Sequence, residues 1–255
     1  TNTFGVPACA SALIRRAIAQ NDRIGRQDST VNPLVLECND GKVNDIQRLA
    51  VTEADAMAAI DNAGTSFDQG TVGAGSGMTT FDFVGGIGSA SRVVTLAGGA
   101  GFTLGALVLS NFGEAGSLRL PGQPAGQALA RAEPDTGSII IVLATDAPMD
   151  ARQLTRLSRR SAAALGRLGS YLGHQSGDIA LAFSTANRLA RTDTEMVQVT
   201  RLAESRMNGF FKAAVEAVEE AIFSALWHGQ PTRGYGGFTP VHFRQSLRRA
   251  ALSAG

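Results

Sequence analysis

The chain has few of the residues that mark several large classes of protein. Cys9 and Cys38 are its only cysteines, too few and too far apart for a disulfide scaffold or a cysteine-rich metal site. Charged residues make up only 18% and the net charge is +1, which argues against binding nucleic acid or an anionic membrane. A run of about 18 apolar residues is missing, so no transmembrane helix is predicted. A secretory signal peptide is not visible either, which favours a cytoplasmic location.

Apolar residues and glycine are plentiful instead. Hydrophobic residues account for 44% of the 255 residues, which is enough for one large buried core. Many of the 30 glycines fall between Gly64 and Gly126, interleaved with apolar residues. This mixture indicates tight turns and close backbone approaches, not disorder. Because no linker interrupts the pattern, residues 1–255 are predicted to form a single domain.

The hydrophobic periodicity predicts a mixed α/β fold. Helical spacing covers 8–20, 52–63, 150–168 and most of 193–226. Strands are predicted over 33–38, 81–84, 91–97, 102–111, 139–144 and 179–185. The strands between 81 and 111 are separated by glycine-rich turns at 85–88 and 98–101, as in an antiparallel meander. Segments 139–144 and 179–185 are apolar throughout and are predicted to be buried on both faces. The layout predicts a four-layer αββα sandwich with largely antiparallel sheets, and the tail from His228 onwards is predicted to be peripheral or an interface segment.

A serine at the mouth of the strand 139–144 is the first candidate for chemistry. Gly137-Ser138 joins a polar loop to this strand, an arrangement that fits an N-terminal nucleophile hydrolase. In such enzymes the chain breaks before the serine, whose new α-amine, with an ordinary pKa of about 7.7–8.0, serves as base for its own hydroxyl. The alternative is an ordinary Gly-Ser turn before a strand.

Polar residues at the ends of two other predicted strands are further candidates. Asn111 ends the strand 102–111 and offers an amide donor for a developing oxyanion. Ser176 and Asp178 precede the strand 179–185 and lie two residues apart, so their side chains are predicted to share one face. Such a pair is able to orient a nucleophile or its amine, although each residue also fits a simple turn.

A glycine-rich segment, 70–78, is a candidate substrate loop. A dinucleotide fingerprint requires a strand before the glycines and a helix after them, whereas the residues that follow alternate like a strand. A Walker-type loop would require a lysine that is missing here. The segment is therefore predicted to present backbone near a substrate through Gly73, Gly75, Gly77 and Met78.

These motifs together resemble a known family, the self-cleaving L-aminopeptidase/D-Ala-esterase-amidases and β-peptidyl aminopeptidases. The resemblance runs in order from about residue 1 to 227. Its motifs are Thr1-Asn2-Thr3, Asn39-Asp40-Gly41, Asn44-Asp45-Ile46, residues 70–78, residues 85–92, Asn111-Phe112-Gly113, Gly137-Ser138-Ile139-Ile140, residues 144–148, Ser176-Gly177-Asp178-Ile179, residues 182–187 and residues 216–222.

The resemblance implies specific residue roles. The chain would cleave itself between Gly137 and Ser138 into an α-fragment, 1–137, and a β-fragment, 138–255, that stay together. Ser138 would be the nucleophile and its amine the base, with Ser176 and Asp178 holding both and Asn111 binding the oxyanion. Asn39 departs from the family pattern, in which an aromatic residue, often tyrosine, supplies a second oxyanion donor. The resemblance also implies an N-terminal segment ahead of Thr1 that carries strands of the sandwich.

The function expected from the resemblance is hydrolysis of small peptides, amides or esters with a free N-terminal amine, through an acyl-enzyme on Ser138. No cofactor or metal is expected, and the expected partners are the substrate, the cleaved fragment and further copies in a homo-oligomer. Two alternatives remain open. One is an acyltransferase of the ornithine acetyltransferase type, which uses threonine where this junction supplies Ser138. The other is a non-catalytic scaffold or binding protein of the same fold.

Overall fold

A computed structural model describes residues 1–120, 137–189 and 195–253. The start of the predicted helix 193–226 lies outside these residues. The helices are α1 Val6–Gln20, α2 Glu53–Asp61, α3 Ala151–Ser158, α4 Ser161–Arg167, α5 Met207–His228 and α6 Phe243–Ser253. The strands are β1 Thr79–Thr80, β2 Phe83–Val84, β3 Gly86–Thr95, β4 Gly101–Asn111, β5 Ser138–Thr145 and β6 Gly177–Ser184.

A four-stranded sheet in the order β3-β4-β5-β6 forms the centre of the fold. The β3/β4 and β4/β5 pairs are antiparallel and β5/β6 is parallel. The β3/β4 pair confirms one part of the predicted meander, whereas the predicted strand 81–84 lies outside this sheet. A parallel pair needs a crossover connection, and α3 and α4 provide it. The short strands β1 and β2 form a separate antiparallel ladder.

The main hydrophobic core lies between α5 and one face of this sheet. Alternate residues of β5, namely Ile139, Ile141 and Leu143, are buried there with residues spaced by three and four along α5. This stripe of α5 matches the one predicted from sequence. The helix backbone approaches β3 so closely that a Cβ at Gly88 would lie 1.8 Å from the carbonyl oxygen of Ala221, so only glycine fits.

The opposite face of the sheet is only partly covered. Cys38 and Met78 pack there on Leu109 and Ile140 in a second, smaller cluster. Farther along β6 the same face is open, and the side chains of Ile179 and Phe183 are 49% and 45% exposed. The prediction that this strand is buried on both faces is therefore wrong. β6 is the last strand in the sheet order, so β5 covers its backbone on one side only.

Two of the predicted strand boundaries are also wrong. Residues 33–38 are extended but do not form a strand of the sheet, because their pairing is limited to one bridge between Cys38 and Asn2. Residues 86–88, predicted as a turn, belong to β3. Glycine is needed within that strand for packing, since a Cβ at Gly86 would lie 2.0 Å from the carbonyl oxygen of Gly70.

Two helices are shorter than their periodicity predicts. The segment 150–168 divides into α3 and α4, with turn residues at Arg159 and Arg160, although its buried stripe forms as predicted. In the segment 193–226, the described residues from 195 onwards become helical only at the 3₁₀ turn from Glu204, which leads into α5. Just before that turn, the N–H of Leu202 donates to the carbonyl of Pro148 and its carbonyl accepts from Gln153, so tertiary contacts engage the backbone. None of the helices described here is long and apolar enough to cross a membrane.

Candidate active site

The sheet brings three sequence-predicted site features to one end. Ser138 is the first residue of β5 and stands opposite Asn111, the last residue of β4. On its other side Ser138 stands opposite Gly177, the first residue of β6, which lies between Ser176 and Asp178. Ser138 thus has as its neighbours a residue 27 positions before it and a residue 39 positions after it, because the antiparallel and parallel ladders start at the same level.

Gly137 is tightly enclosed by backbone at this junction. A Cβ on Gly137 would lie 2.1 Å from the carbonyl oxygen of Asn111 and 2.6 Å from the Cα of Phe112. Its own carbonyl oxygen accepts a hydrogen bond of 3.0 Å from the N–H of Gly177. Only glycine fits this position, so the Gly-Ser pair is more than a generic turn: the peptide bond before Ser138 is fixed from two sides.

Asn111 is buried, and its amide orientation follows from its partners. The backbone N–H of Thr79 donates to Asn111 Oδ1 over 2.8 Å, and Asn111 Nδ2 donates to the carbonyl of Asn39 over 2.9 Å. Exchanging the oxygen and the nitrogen would break both bonds, so the network fixes which atom faces which partner. An amide nitrogen carries two hydrogens, so Nδ2 retains one donor beyond the bond to Asn39.

Asn39 contributes to the site mainly through its backbone. Its carbonyl holds Asn111, and its side-chain Oδ1 accepts from the N–H of Gly41 over 2.8 Å, which forms a local Asx-type turn. Two further contacts brace this loop: the Asp40 carboxylate, which is buried, accepts from the amides of Asn2 and Asn44. The role of Asn39 as a second oxyanion donor stays a prediction.

Ser176 and Asp178 form the predicted pair. Ser176 donates from Oγ to Asp178 Oδ1 over 2.8 Å. Asp178 stands opposite Ile139, whose side chain belongs to the α5 side of the sheet, whereas Ser138 and Gly177 belong to the other side by alternation. The pair therefore lies beside the Ser138 backbone on the neighbouring strand. That it orients Ser138 or its amine stays a prediction.

A cavity of about 440 Å³ opens at this end of the sheet. Its lining residues come from β1, the end of β4, the Asn39 loop and the junction before β5: Asn39, Gly41, Lys42, Ile46, Thr79, Asp82, Asn111, Phe112, Gly113 and Gly137. Asp82 carries a carboxylate into this lining and pairs with Lys42 over 3.1 Å. Asp82 and the buried Phe81 both have positive φ, of 60° and 49°, in the turn between β1 and β2. Such angles are uncommon for non-glycine residues, so the turn is strained next to the cavity.

Residues of the glycine-rich segment 70–78 pack against the elements that form this site. Gly77 has a φ of 90° and packs against Asn44, and Met78 is buried in the smaller core cluster. Gly75 is in close contact with the backbone of Gly70, and Gly73 lines a different cavity, of about 620 Å³, beside α1 and α2. Thr79, the residue after the predicted loop, is the one that lines the smaller cavity and holds Asn111.

Cys38 is a site residue that sequence reasoning did not single out. Its side chain is fully buried, and its Sγ lies 3.5 Å from the carbonyl oxygens of both Ser138 and Leu109. Burial raises the pKa of the Cys38 thiol to about 12, and the charge of Glu37 acts in the same direction. The protonated thiol is a donor to the backbone of the candidate nucleophile. The sequence signal was only the position of Cys38 next to Asn39.

The high pKa of Cys38 predicts a loss of stability in alkaline solution. An unfolded thiol ionises near pH 9.0 and the folded one near 12, so the stabilisation is complete below pH 9 and is lost as the pH rises towards 12. Across that range the free energy of unfolding should fall with pH more steeply in the wild type than in Cys38→Ala. The difference in slope should reach about 1.4 kcal/mol per pH unit. Urea unfolding at several pH values measures this slope. Cys9→Ala is the matched control and should keep the wild-type slope; equal slopes for all three proteins would contradict the prediction.

No group of three or more histidine, cysteine or acidic side chains in the described part of the chain is arranged to hold a metal ion. The groups brought together at this end of the sheet are hydroxyl, amide, carboxylate and backbone groups. These are the groups required for acyl transfer to a serine: a nucleophile, donors for an oxyanion and a polar cavity for the carbonyl compound.

Comparison with known proteins agrees with a site for acyl transfer to a serine. "Beta-peptidyl aminopeptidase BapA" from Sphingosinicella microcystinivorans is 38% identical over 240 residues, which cover 86% of this chain and 60% of the relative. The protein of the same name from Sphingosinicella xenopeptidilytica is 37% identical over 217 residues, covering 78% of this chain and 54% of the relative. The chain thus spans a little over half the length of these two curated relatives.

Solved structures show the same fold. The PH0078 protein from Pyrococcus horikoshii OT3 has a TM-score of 0.91 and 42% identity, covering all of this chain and 72% of that one. A Burkholderia sp. β-aminopeptidase has a TM-score of 0.84 and 37% identity. The L-aminopeptidase D-Ala-esterase/amidase from Ochrobactrum anthropi, described as a variant of the Ntn hydrolase fold, has a TM-score of 0.85 and 35% identity. The alignments of the last two cover 98% of this chain and 72% of theirs.

These likenesses confirm the α/β fold class with largely antiparallel sheets and the resemblance inferred from the motifs. The family model described as "Peptidase family S58" matches residues 1–239, which include every candidate site residue named above. The chain belongs to peptidase family S58.

Proposed function

We propose that this protein is a self-cleaving serine aminopeptidase that hydrolyses small peptides, amides or esters with a free N-terminal amine. The observation that carries the proposal is the sheet register, which sets Ser138 between Asn111 and Gly177 beside an enclosed glycine. Family membership and the aminopeptidase names of its relatives support the same reaction class.

The proposed mechanism has two stages that use the same hydroxyl. In the first, Ser138 Oγ attacks the Gly137 carbonyl carbon and the bond from this carbon to the Ser138 nitrogen breaks, which gives an ester and frees the Ser138 amine. Water then hydrolyses the ester and restores the Ser138 hydroxyl. In the second, this amine takes the hydroxyl proton while Oγ attacks a substrate carbonyl, and Asn111 donates to the oxyanion. The amine or alcohol leaves with a proton, and water then releases the acyl group from Ser138.

The proposed substrates follow from the cavity and the relatives. A space of about 440 Å³ is large enough for a short peptide or a single acylated amine and excludes a folded protein. The relatives' names mention β-peptides, L-amino acids and D-alanine esters or amides, so all three classes are proposed substrates. Assembly into a homo-oligomer and a cytoplasmic location stay predictions.

Mass spectrometry of natively produced, full-length protein tests the proposal. We expect a fragment that begins at Ser138, together with hydrolysis of at least one of the L-alanine, D-alanine and β-alanine p-nitroanilides. An intact bond between residues 137 and 138 in fully active protein would overturn it. Cleavage without hydrolysis, but with acyl transfer to an amine, would favour the acyltransferase alternative, and neither activity would favour a scaffold.

A further inference from the structure

We propose that the backbone N–H of Gly177 is the oxyanion donor for self-cleavage, whereas Asn111 serves the later hydrolysis of substrates. This inference rests on the proposed function, since it assigns a donor to its first stage. The same nucleophile would use one hydrogen-bond donor in self-cleavage and a different one in the hydrolysis of substrates.

The uncleaved chain shows which group faces the bond to be broken. The Gly137 carbonyl oxygen, where negative charge would develop, accepts from the Gly177 N–H over 3.0 Å. The hydrogen bonds of the Asn111 side chain lead instead to the N–H of Thr79 and the carbonyl of Asn39. The donor already in place at the scissile carbonyl is therefore the one on β6.

Gly177 also fits the nucleophile sterically. A Cβ on Gly177 would lie 3.0 Å from Ser138 Oγ, so the hydroxyl lies directly over the bare Cα of this residue. Because Gly137 is enclosed on its other side by Asn111 and Phe112, the peptide bond has little freedom to move away from the N–H. Donor, carbonyl and hydroxyl are thus held in place before the reaction starts, which is the condition for electrostatic stabilisation without reorganisation.

Self-cleavage requires only groups of the chain itself and one water molecule. Ser138 Oγ forms a bond to the Gly137 carbonyl carbon, and the carbonyl oxygen becomes an oxyanion whose bond to the Gly177 N–H is charge-assisted and stronger. The bond from this carbon to the Ser138 nitrogen then breaks, and the proton lost by the hydroxyl ends on that nitrogen. Water hydrolyses the ester, leaving a carboxylate on Gly137 and restoring the hydroxyl and free amine of Ser138.

Substrates meet a different donor because they enter from the cavity. Asn111 lines that cavity, and its Nδ2 has one hydrogen beyond the bond to Asn39. Gly177 does not contribute to the cavity lining among the described residues. The two donors therefore belong to different parts of the site: Asn111 lines the cavity, and the N–H of Gly177 donates to the Gly137 carbonyl.

The alternative is that the hydrogen bond from the Gly177 N–H to the Gly137 carbonyl only begins the parallel pairing of β5 with β6 and has no part in the reaction. An amide-to-ester exchange separates the two cases, because it removes a single N–H and leaves the side chains unchanged. Cell-free translation with a suppressor tRNA charged with glycolic acid places the ester at position 177. The matched control is the α-hydroxy acid analogue of isoleucine at position 179, which removes another N–H of β6 without touching the scissile carbonyl.

We expect the ester at 177 to slow self-cleavage by about 10²–10³-fold, followed by mass spectrometry, and the ester at 179 to slow it by less than about tenfold. Equal rates for the two esters would overturn the inference. Unfolding midpoints measured in a Ser138→Ala background show that both variants fold. Failure of the wild type to cleave at all would instead overturn the proposed function.

A second variant tests the division between donors without altering the backbone. Asn111→Asp keeps the acceptor for Thr79 and removes the amide donor. We expect Asn111→Asp to slow the hydrolysis of substrates by a larger factor than it slows self-cleavage, whereas the ester at 177 should act on self-cleavage. A variant that remains uncleaved while folding normally would show that Asn111 is needed for the first stage and would overturn the inference.

Discussion

Replacing Ser138 with alanine should leave the chain in one piece and abolish hydrolysis. Alanine removes only Oγ, the atom that attacks in both stages, and the enclosed Gly137 and the strand β5 remain as they are. Loss of a serine nucleophile in hydrolases of this chemistry lowers turnover by at least about 10⁴-fold. Mass spectrometry should find a single species in which residues 137 and 138 are still joined, and p-nitroanilide assays should show no release above background.

Two variants control for effects other than loss of the nucleophile. Ser91→Ala removes an exposed hydroxyl from β3 and should behave as the wild type. Ser138→Cys replaces the oxygen with another nucleophile and should retain some cleavage. If Ser138→Ala still yields a fragment that begins at residue 138, the nucleophile is another group and the proposed mechanism fails.

Asn111→Asp should lower kcat towards small amides by about 10²–10³-fold with little change in KM, the loss measured when one oxyanion donor is removed. Aspartate has the same shape and keeps an oxygen for the N–H of Thr79, but it presents a carboxylate where the amide donor was. The charge would repel a developing oxyanion. Steady-state kinetics on β-alanine p-nitroanilide measure the change.

Asn111→Ala separates the donor from the structural role of this side chain. It should lose activity to a similar extent and, in addition, leave the buried N–H of Thr79 without its acceptor, which costs about 1–3 kcal/mol of stability. Asn111→Asp keeps the acceptor for Thr79 but sets a carboxylate oxygen against the carbonyl of Asn39, so chemical denaturation of both variants measures the cost of each lost contact. Turnover within tenfold of the wild type in both would assign the oxyanion to another donor, such as Asn39.

Local patterns predicted the elements that are stabilised by their own residues. Thr52 with Asp55 and Asp150 with Gln153 form capping boxes at the starts of α2 and α3. The uninterrupted apolar run after Ser138 forms β5, and the spacing by three and four gives the buried face of α5. In these cases the sequence within one segment contains the whole physical cause.

Features that depend on distant partners could not be predicted in the same way. The burial of β6 depends on which strands flank it, and its own apolar residues do not report that. The break between α3 and α4 leaves the hydrophobic stripe continuous, so periodicity alone joins the two helices. The extended segment before Cys38 has strand-like residues but only one bridge.

The candidate site shows the same division. Ser138, Asn111, Ser176 and Asp178 were identifiable because their residue types and positions at strand ends suggest chemistry. Cys38 and Gly177 were not, because a buried thiol and a glycine acquire a role only through the register that places them against Ser138. A backbone N–H donor in particular cannot be identified from side-chain types.

The position of Ser138 within the sheet has a consequence for refolding. β4 and β5 share eight register pairs, and α5 packs on β3 and β4. Proposed cleavage before Ser138 would assign β3 and β4 to one polypeptide and β5, β6 and α5 to another, so the hydrophobic core becomes a subunit interface. Recovery from denaturant would then be a second-order process that slows on dilution, and the matured protein would depend on slow unfolding to survive.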